Sequence, residues 1–206
     1  MIKSSMGVLP DLILASQSPR RKELLGQTGL DFQIIIRPTD EVHDAEMTPD
    51  ALCLLNARLK ATVVFEEFPD CTVIGADTLV FIDGIPLGKP RDIDEARAML
   101  RQLSGREHIV CTGVALMSPL SIGSESFAEM TKVCFKPLDE ETIEAYLNAV
   151  PVLDKAGAYA FQDHGDMIID HIVGYASNVI GLPLETLSKY LHKRGYQITP
   201  FSESCP

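Results

Sequence analysis

Val73-Ile74-Gly75-Ala76-Asp77-Thr78-Leu79-Val80-Phe81-Ile82 runs into Asp83-Gly84 and then Ile85-Pro86-Leu87. An apolar run rich in β-branched residues reads as a largely buried strand, Asp-Gly marks a two-residue hairpin turn, and the short run after it is the returning partner. Asp77 and Thr78 interrupt the strand's apolar character. Upstream, Pro49 to about Phe65 carries helical spacing. Thr48 is its expected cap, Leu52, Leu55, Leu59 and Thr62 or Val63 lie along the inward side, and Asn56 and Lys60 share a neighbouring, more polar face.

Farther out, Leu12 to Ala15 is a short strand ending in Ser16-Gln17-Ser18-Pro19, and a helix follows from Arg20 to Gly29. Ser18 suits the cap, Pro19 the first helical position and Gly29 the end. Downstream, the pattern predicts a helix over Asp92 to Leu103, strands over Ile109 to Met117 and about Phe127 to Phe135, and a short helix capped by Asp139. A strand over Met167 to Val173 and a last helix over Leu182 to Leu191 complete the order. Strands and helices do not alternate steadily, so the expected fold class is α/β with a mixed twisted sheet and flanking helices, in preference to a doubly wound parallel sheet.

The chain has 206 residues, 46% hydrophobic and 23% charged, enough to bury a core as one domain or as two small lobes around a cleft. No composition break marks a domain boundary; residues 1–11 and 193–206 are expected to be flexible ends. No apolar run approaches the roughly 20 residues that span a bilayer, and Met1 to Leu14 lacks the basic start and apolar centre of a signal peptide, so a cytoplasmic location is expected. Five scattered cysteines without CxxC spacing disfavour a disulfide framework or a thiolate zinc site, and the histidines show no paired ligand spacing. A formal net charge of -11 makes nucleic acid and anionic membranes poor partners. Any anion that binds must meet a local concentration of positive charge.

Ser16-Gln17-Ser18-Pro19-Arg20-Arg21-Lys22 places hydroxyls, free backbone N–H groups and guanidinium groups at a helix N-terminus, which suits a phosphate. The structural alternative is an exposed basic turn paired with acids. Neither GxxxxGK[ST] nor GxGxxG occurs, so Walker-type and dinucleotide readings lose support. Asp77, in Gly75-Ala76-Asp77-Thr78, is a carboxylate inside an apolar strand, costly unless paired, hydrogen-bonded or facing a cleft. There it can bind Mg2+ or take a proton from a water aimed at phosphorus; a buried Asp satisfied by backbone N–H groups is the alternative. Lys89, in Gly88-Lys89-Pro90-Arg91, is a restrained ammonium suited to a leaving pyrophosphate. Asp154-Lys155-Ala156-Gly157-Ala158-Tyr159 is a polar, glycine-containing stretch where backbone can approach a ligand, and the amide of Gln162 can read a base edge.

These stretches, with Leu103-Ser104-Gly105-Arg106 and Gly181-Leu182-Pro183, together resemble the Maf family of nucleotide pyrophosphatases over about Leu12 to Leu191. The resemblance implies a two-lobed fold similar to the inosine triphosphate pyrophosphatases, a homodimer, and hydrolysis of a nucleoside triphosphate between the α and β phosphates with a divalent cation, Mg2+, Mn2+ or Co2+. It carries over Asp77 as catalytic base, Ser16, Arg20, Arg21, Lys60 and Lys89 as phosphate-facing residues, and Glu41 as an acid that, with Asp77, supports metal or water. Arg20, Thr78 and Gln162 resemble the branch acting on dTTP and UTP. The branch acting on 7-methyl-GTP typically has a tryptophan in place of the first arginine, and this chain has none. One departure stands out: the usual Tyr-Gly-Ile-Gln-Gly is here Tyr159-Ala160-Phe161-Gln162-Asp163, and loss of both glycines is expected to stiffen or reshape the loop bearing Gln162. Two rival readings remain, a house-cleaning pyrophosphatase for modified nucleotides and a nucleotide-sensing regulator of cell division.

Overall fold

A computed structural model of the chain describes residues 9–199. In chain order the elements are β1 (Leu12–Leu14), α1 (Pro19–Gly26), β2 (Gln33–Ile34), α2 (Pro49–Phe65), β3 (Thr72–Ile82), β4 (Ile85–Leu87), α3 (Ile93–Leu103), β5 (Glu107–Met117) and β6 (Glu125–Phe135). There follow α4 (Glu140–Ala149), a single 3-10 turn (Ala156–Ala158), α5 (Gly165–Ile168), β7 (Ile169–Val173), α6 (Ala176–Ile180) and α7 (Leu184–Lys193). The hairpin forms as expected: Asp83 and Gly84 link β3 to β4 at φ 52° and 79°, the pair of positive values that a two-residue turn between twisted strands requires.

One seven-stranded sheet runs in the order β2-β1-β3-β5-β6-β7, with β4 paired to β3 off this path. β1 is parallel to β2 and β3, whereas β3, β5, β6 and β7 are successively antiparallel. The mixed sheet expected from the element order is therefore present.

On one face, Ile74 and Ala76 belong to a core with α1 and α7, while Val80 and Ile82 belong to a second core with α3 and α4. On the other face, Val73 packs with Ala57, Ala61 and Val64 of α2, and Leu79 and Phe81 pack with Leu52 and Cys53 of the same helix. Asp77 and Thr78 fall where the clusters part on both faces. Their neighbours on β5, Gly113 and Thr112, mark the same seam.

The inward face of α2 differs from the expected one. Leu52, Cys53, Asn56, Ala57, Ala61 and Val64 are buried, whereas Leu55, Leu59, Thr62 and Val63 are only half-buried. The helix crosses the sheet directly over Gly75 and Gly113, where an added Cβ would lie 2.4 Å from the Ala57 carbonyl oxygen and 2.4 Å from the Cys53 backbone. At that separation only small side chains fit, so Cys53, Ala57 and Ala61 take the interface and Leu55 and Leu59 turn outward. Thr48 makes no side-chain cap to this helix.

Other boundaries shift modestly. The run from Met167 splits into the helical turn α5 and strand β7, and α7 starts at Leu184 because Gly181-Leu182-Pro183 forms its approach. Of the ends expected to be flexible, residues 1–8 and 200–206 lie outside the described residues. The segment 193–199 packs down: Tyr196 is buried and donates its hydroxyl to the Pro10 carbonyl (2.8 Å), and the Thr199 N–H donates to the Thr28 carbonyl (2.8 Å).

Candidate active site

β5 occupies one edge of β3 along most of its length, while β1 and β4 share the other edge. β1 ends opposite Ile74 and β4 ends, at Leu87, opposite Val80, leaving the stretch of this edge between them without a strand neighbour. This gap opens into a cavity of about 1150 Å³ lined from both faces, with Asp77 reaching it from the α2 side and Thr78 from the α1 side.

Every site residue expected from sequence lines this cavity: Ser16, Arg20, Arg21, Glu41, Lys60, Asp77, Thr78, Lys89 and Gln162. Six cationic side chains (Arg20, Arg21, Arg37, Lys60, Lys89 and Lys155) face three carboxylates (Glu41, Asp77 and Asp154). The chain's overall negative charge is thus reversed locally.

The acidic end is built on α2. The Lys60 ammonium sits 2.6 Å from Asp77 Oδ1 and 2.7 Å from Glu41 Oε1, drawing two carboxylates from distant parts of the chain to one point. Asn56, one turn earlier, donates to Asp77 Oδ2 at 3.2 Å. Asp77 is 4% exposed, so its charge is viable because both oxygens have donors. Each oxygen keeps a lone-pair direction for a water.

The cationic end is built on the turn before α1. Ser18 caps the helix, accepting from the Arg21 N–H (3.5 Å), and its own N–H donates to Ser16 Oγ (3.2 Å). Arg21 donates Nε to the Gly181 carbonyl (2.8 Å), Nη1 to Ser16 Oγ (3.3 Å) and Nη2 to Thr78 Oγ1 (2.9 Å). All three acceptors are neutral. Burial lowers the guanidinium's pKa, with Asp77 opposing, yet arginine starts so high that it stays charged. A half-buried cation held by neutral groups is short of an anion.

Thr78 has its hydroxyl fully engaged at this point. Thr112 Oγ1 donates to the Asn178 carbonyl (3.0 Å), so Thr78 donates to Thr112 (2.9 Å) while accepting from Arg21. Arg20 lies 3.7 Å from Asp154, and Lys155 donates to the same carboxylate at 2.8 Å. Burial works to raise the Asp154 carboxyl, but Lys155 and Arg20 outweigh it and hold the group below its usual range. Lys89 is exposed and has no carboxylate partner among the described residues.

Gln162 is exposed on a loop whose root is fixed. The Tyr146 hydroxyl accepts from the Ala160 N–H (3.0 Å) and lies within reach of the Ala160 and Asp163 carbonyls (3.3 and 3.4 Å), while Phe161 packs on both cores of that face. Neither Ala160 nor Asp163 has a positive φ, so the backbone here does not demand the glycines they replace. Sequence reading missed the contact of Asn56 with Asp77, the role of Thr112 behind Thr78 and the presence of His43 in the lining. The four-residue spacing of Asn56 and Lys60 was the available signal for the first; the other two depend on tertiary placement.

The Maf-like protein family profile matches residues 11–194. The chain belongs to the Maf family. Among Maf relatives, the dTTP/UTP pyrophosphatase of Akkermansia muciniphila is 56% identical over 190 residues, covering 92% of this chain and all of that protein (100%). The dTTP/UTP pyrophosphatase of Pelotomaculum thermopropionicum is 43% identical over the same length, with 92% and 100% covered. The solved structure of the Staphylococcus aureus Ham1 protein superposes with a TM-score of 0.53 at 16% identity, covering 88% of this chain and 98% of that one. That likeness is one of fold: the Maf chain has the mixed sheet with flanking helices expected of it.

Proposed function

We propose that this chain hydrolyses dTTP and UTP to the monophosphate and pyrophosphate, with Asp77 activating the attacking water. The observation that carries the reading is a buried carboxylate opening onto a cavity whose other wall holds cations that lack anionic partners. The printed names of the Maf relatives supply the substrate pair.

In this reading Asp77 accepts the water's proton while Asn56 and Lys60 hold its two oxygens in place. Arg21, fixed by three hydrogen bonds, lies preorganised for a phosphate oxygen, and Lys89 and Arg20 serve the rest of the triphosphate. Lys60 has two of its three N–H groups on carboxylates and one left for the substrate. Ser16 orients the turn. Arg20, Thr78 and Gln162 are assigned to base preference, with Thr78 acting from a hydroxyl already bound to Arg21.

Glu41 and Asp77 fit a hydrated divalent cation: two oxygen donors brought to one ammonium suit Mg2+ or Mn2+, which take few protein carboxylates and complete their shell with water and phosphate. When bound, the cation supplies neutralisation of charge on the phosphate oxygens. We also assign the chain to the cytoplasm and to a homodimer by its family membership; among the described residues no helix is long and apolar enough to cross a membrane.

The test is a triphosphate panel with divalent metal, in isotopically labelled water. Pyrophosphate release with UTP and dTTP preferred, and label in the monophosphate, is the expected result. Preference for 7-methyl-GTP would sink the substrate assignment, and binding without release from any triphosphate would favour a sensor.

A further inference from the structure

We propose that Asn56 is a positioning residue that registers the segment carrying Glu41 on Asp77; the catalytic half of its test rests on the pyrophosphatase reading above. Glu41 lies in an irregular stretch between β2 and α2, with no ladder or helix to fix it. Asn56 is buried to 1% exposure on α2, and its amide is used in full toward that stretch and toward Asp77. Oδ1 accepts from the Val42 N–H at 2.8 Å, while Nδ2 donates to the Val42 carbonyl at 3.0 Å and to Asp77 Oδ2 at 3.2 Å. The partners determine which way the amide faces, because a flipped side chain would set N–H against N–H and oxygen against two oxygens.

One side chain therefore grips both groups of residue 42, next to Glu41, and one oxygen of Asp77. Lys60, one helical turn on, ties Glu41 Oε1 to the other oxygen of Asp77. The two links close a ring through α2, and they differ in kind. Lys60 is a flexible cation whose contacts can open when a polyanion enters. The Asn56 amide is short, buried and directional, so it holds the register of the two acids while Lys60 is drawn toward substrate.

The test compares Asn56→Leu and Asn56→Asp with Val64→Ala, which loosens α2 at its far end without touching residue 42 or Asp77. Both Asn56 variants keep the branching and the number of heavy atoms of the side chain, Asn56→Leu being somewhat bulkier, and Asn56→Asp sets an oxygen against the Val42 carbonyl and Asp77. Exchange of the Val42 amide hydrogen is expected to quicken about tenfold or more in them and to stay near wild type in Val64→Ala. With UTP, kcat is expected to fall roughly 10- to 100-fold while KM changes less than about threefold, because Arg21 and Lys89 are untouched. Should Asn56→Leu fail to fold, Asn56→Asp gives both readouts. An unaltered Val42 exchange rate, or kcat losses equal to those of Val64→Ala, would overturn the proposal. A wild-type protein inactive on every triphosphate would refute the pyrophosphatase reading, and the exchange measurement would still decide the role of Asn56.

Discussion

Asp77 sits where a carboxylate has no business unless something compensates it, and the compensation is specific: Lys60 on Oδ1 and Asn56 on Oδ2. Removing the ammonium leaves Asp77 and Glu41 facing each other without a counter-charge. Lys60→Ala is therefore expected to lower stability by about 2 kcal/mol, between the values for exposed and fully buried pairs, as measured by urea unfolding. Millimolar Mg2+ is expected to restore more stability to this variant than to wild type. A further residue with a defined titration is His108, buried against Tyr159 and Phe135, whose Nε2 pairs with the Tyr159 hydroxyl at 2.8 Å. Burial lowers its pKa to about 4 from 6.5. As pH falls below 6.5 the unfolded chain takes up a proton that the folded chain refuses, so the folded state loses stability until about pH 4 is passed. The loss amounts to roughly 3 kcal/mol across that window. His108→Phe is expected to flatten this part of the pH–stability curve; an unchanged difference between pH 7 and pH 4 would contradict it.

At the scale of elements, α2 decides the geometry. Its close crossing over Gly75 and Gly113 brings Asn56 and Lys60 down onto Asp77, so packing and chemistry depend on the same two glycines. In Gly113→Ala the new Cβ would meet the Cys53 carbonyl at 2.4 Å and the Leu54 nitrogen at 2.6 Å, backbone atoms that can give way only if the helix shifts. A destabilisation of about 3 kcal/mol is expected from overpacking, with a loss of turnover as α2 lifts, both readable from chemical unfolding and steady-state rates. The hairpin, the long strands and the Ser18 cap were legible in sequence because each rests on local chemistry: an apolar run, a positive-φ turn and a capping hydroxyl. The buried face of α2 was not. Apolar spacing points to Leu55 and Leu59, but a helix lying this close to a sheet selects for small side chains, and the glycines that permit it are far away in sequence.

For the whole molecule, Asp77 and Thr78 mark the seam where clusters part on both faces of the sheet, and the open edge of β3 between β1 and β4 turns that seam into a cavity. The two residues that looked wrong in an apolar strand are the two that the division of the core leaves facing a cleft. The cationic turn was equally legible, since its phosphate-binding character is written in one short stretch. The link from Asn56 to residue 42 was not, because an irregular segment gives no periodic signal. The fold thereby places a local excess of positive charge inside a chain of net charge -11 and sets one buried carboxylate opposite it. The most direct test of that arrangement is steady-state hydrolysis of UTP by Asp77→Asn alongside its nucleotide affinity by calorimetry. The expected result is a kcat reduced roughly a thousandfold with Kd changed by less than about threefold, because the amide keeps the shape and loses the base. A kcat within about fivefold of wild type would contradict it.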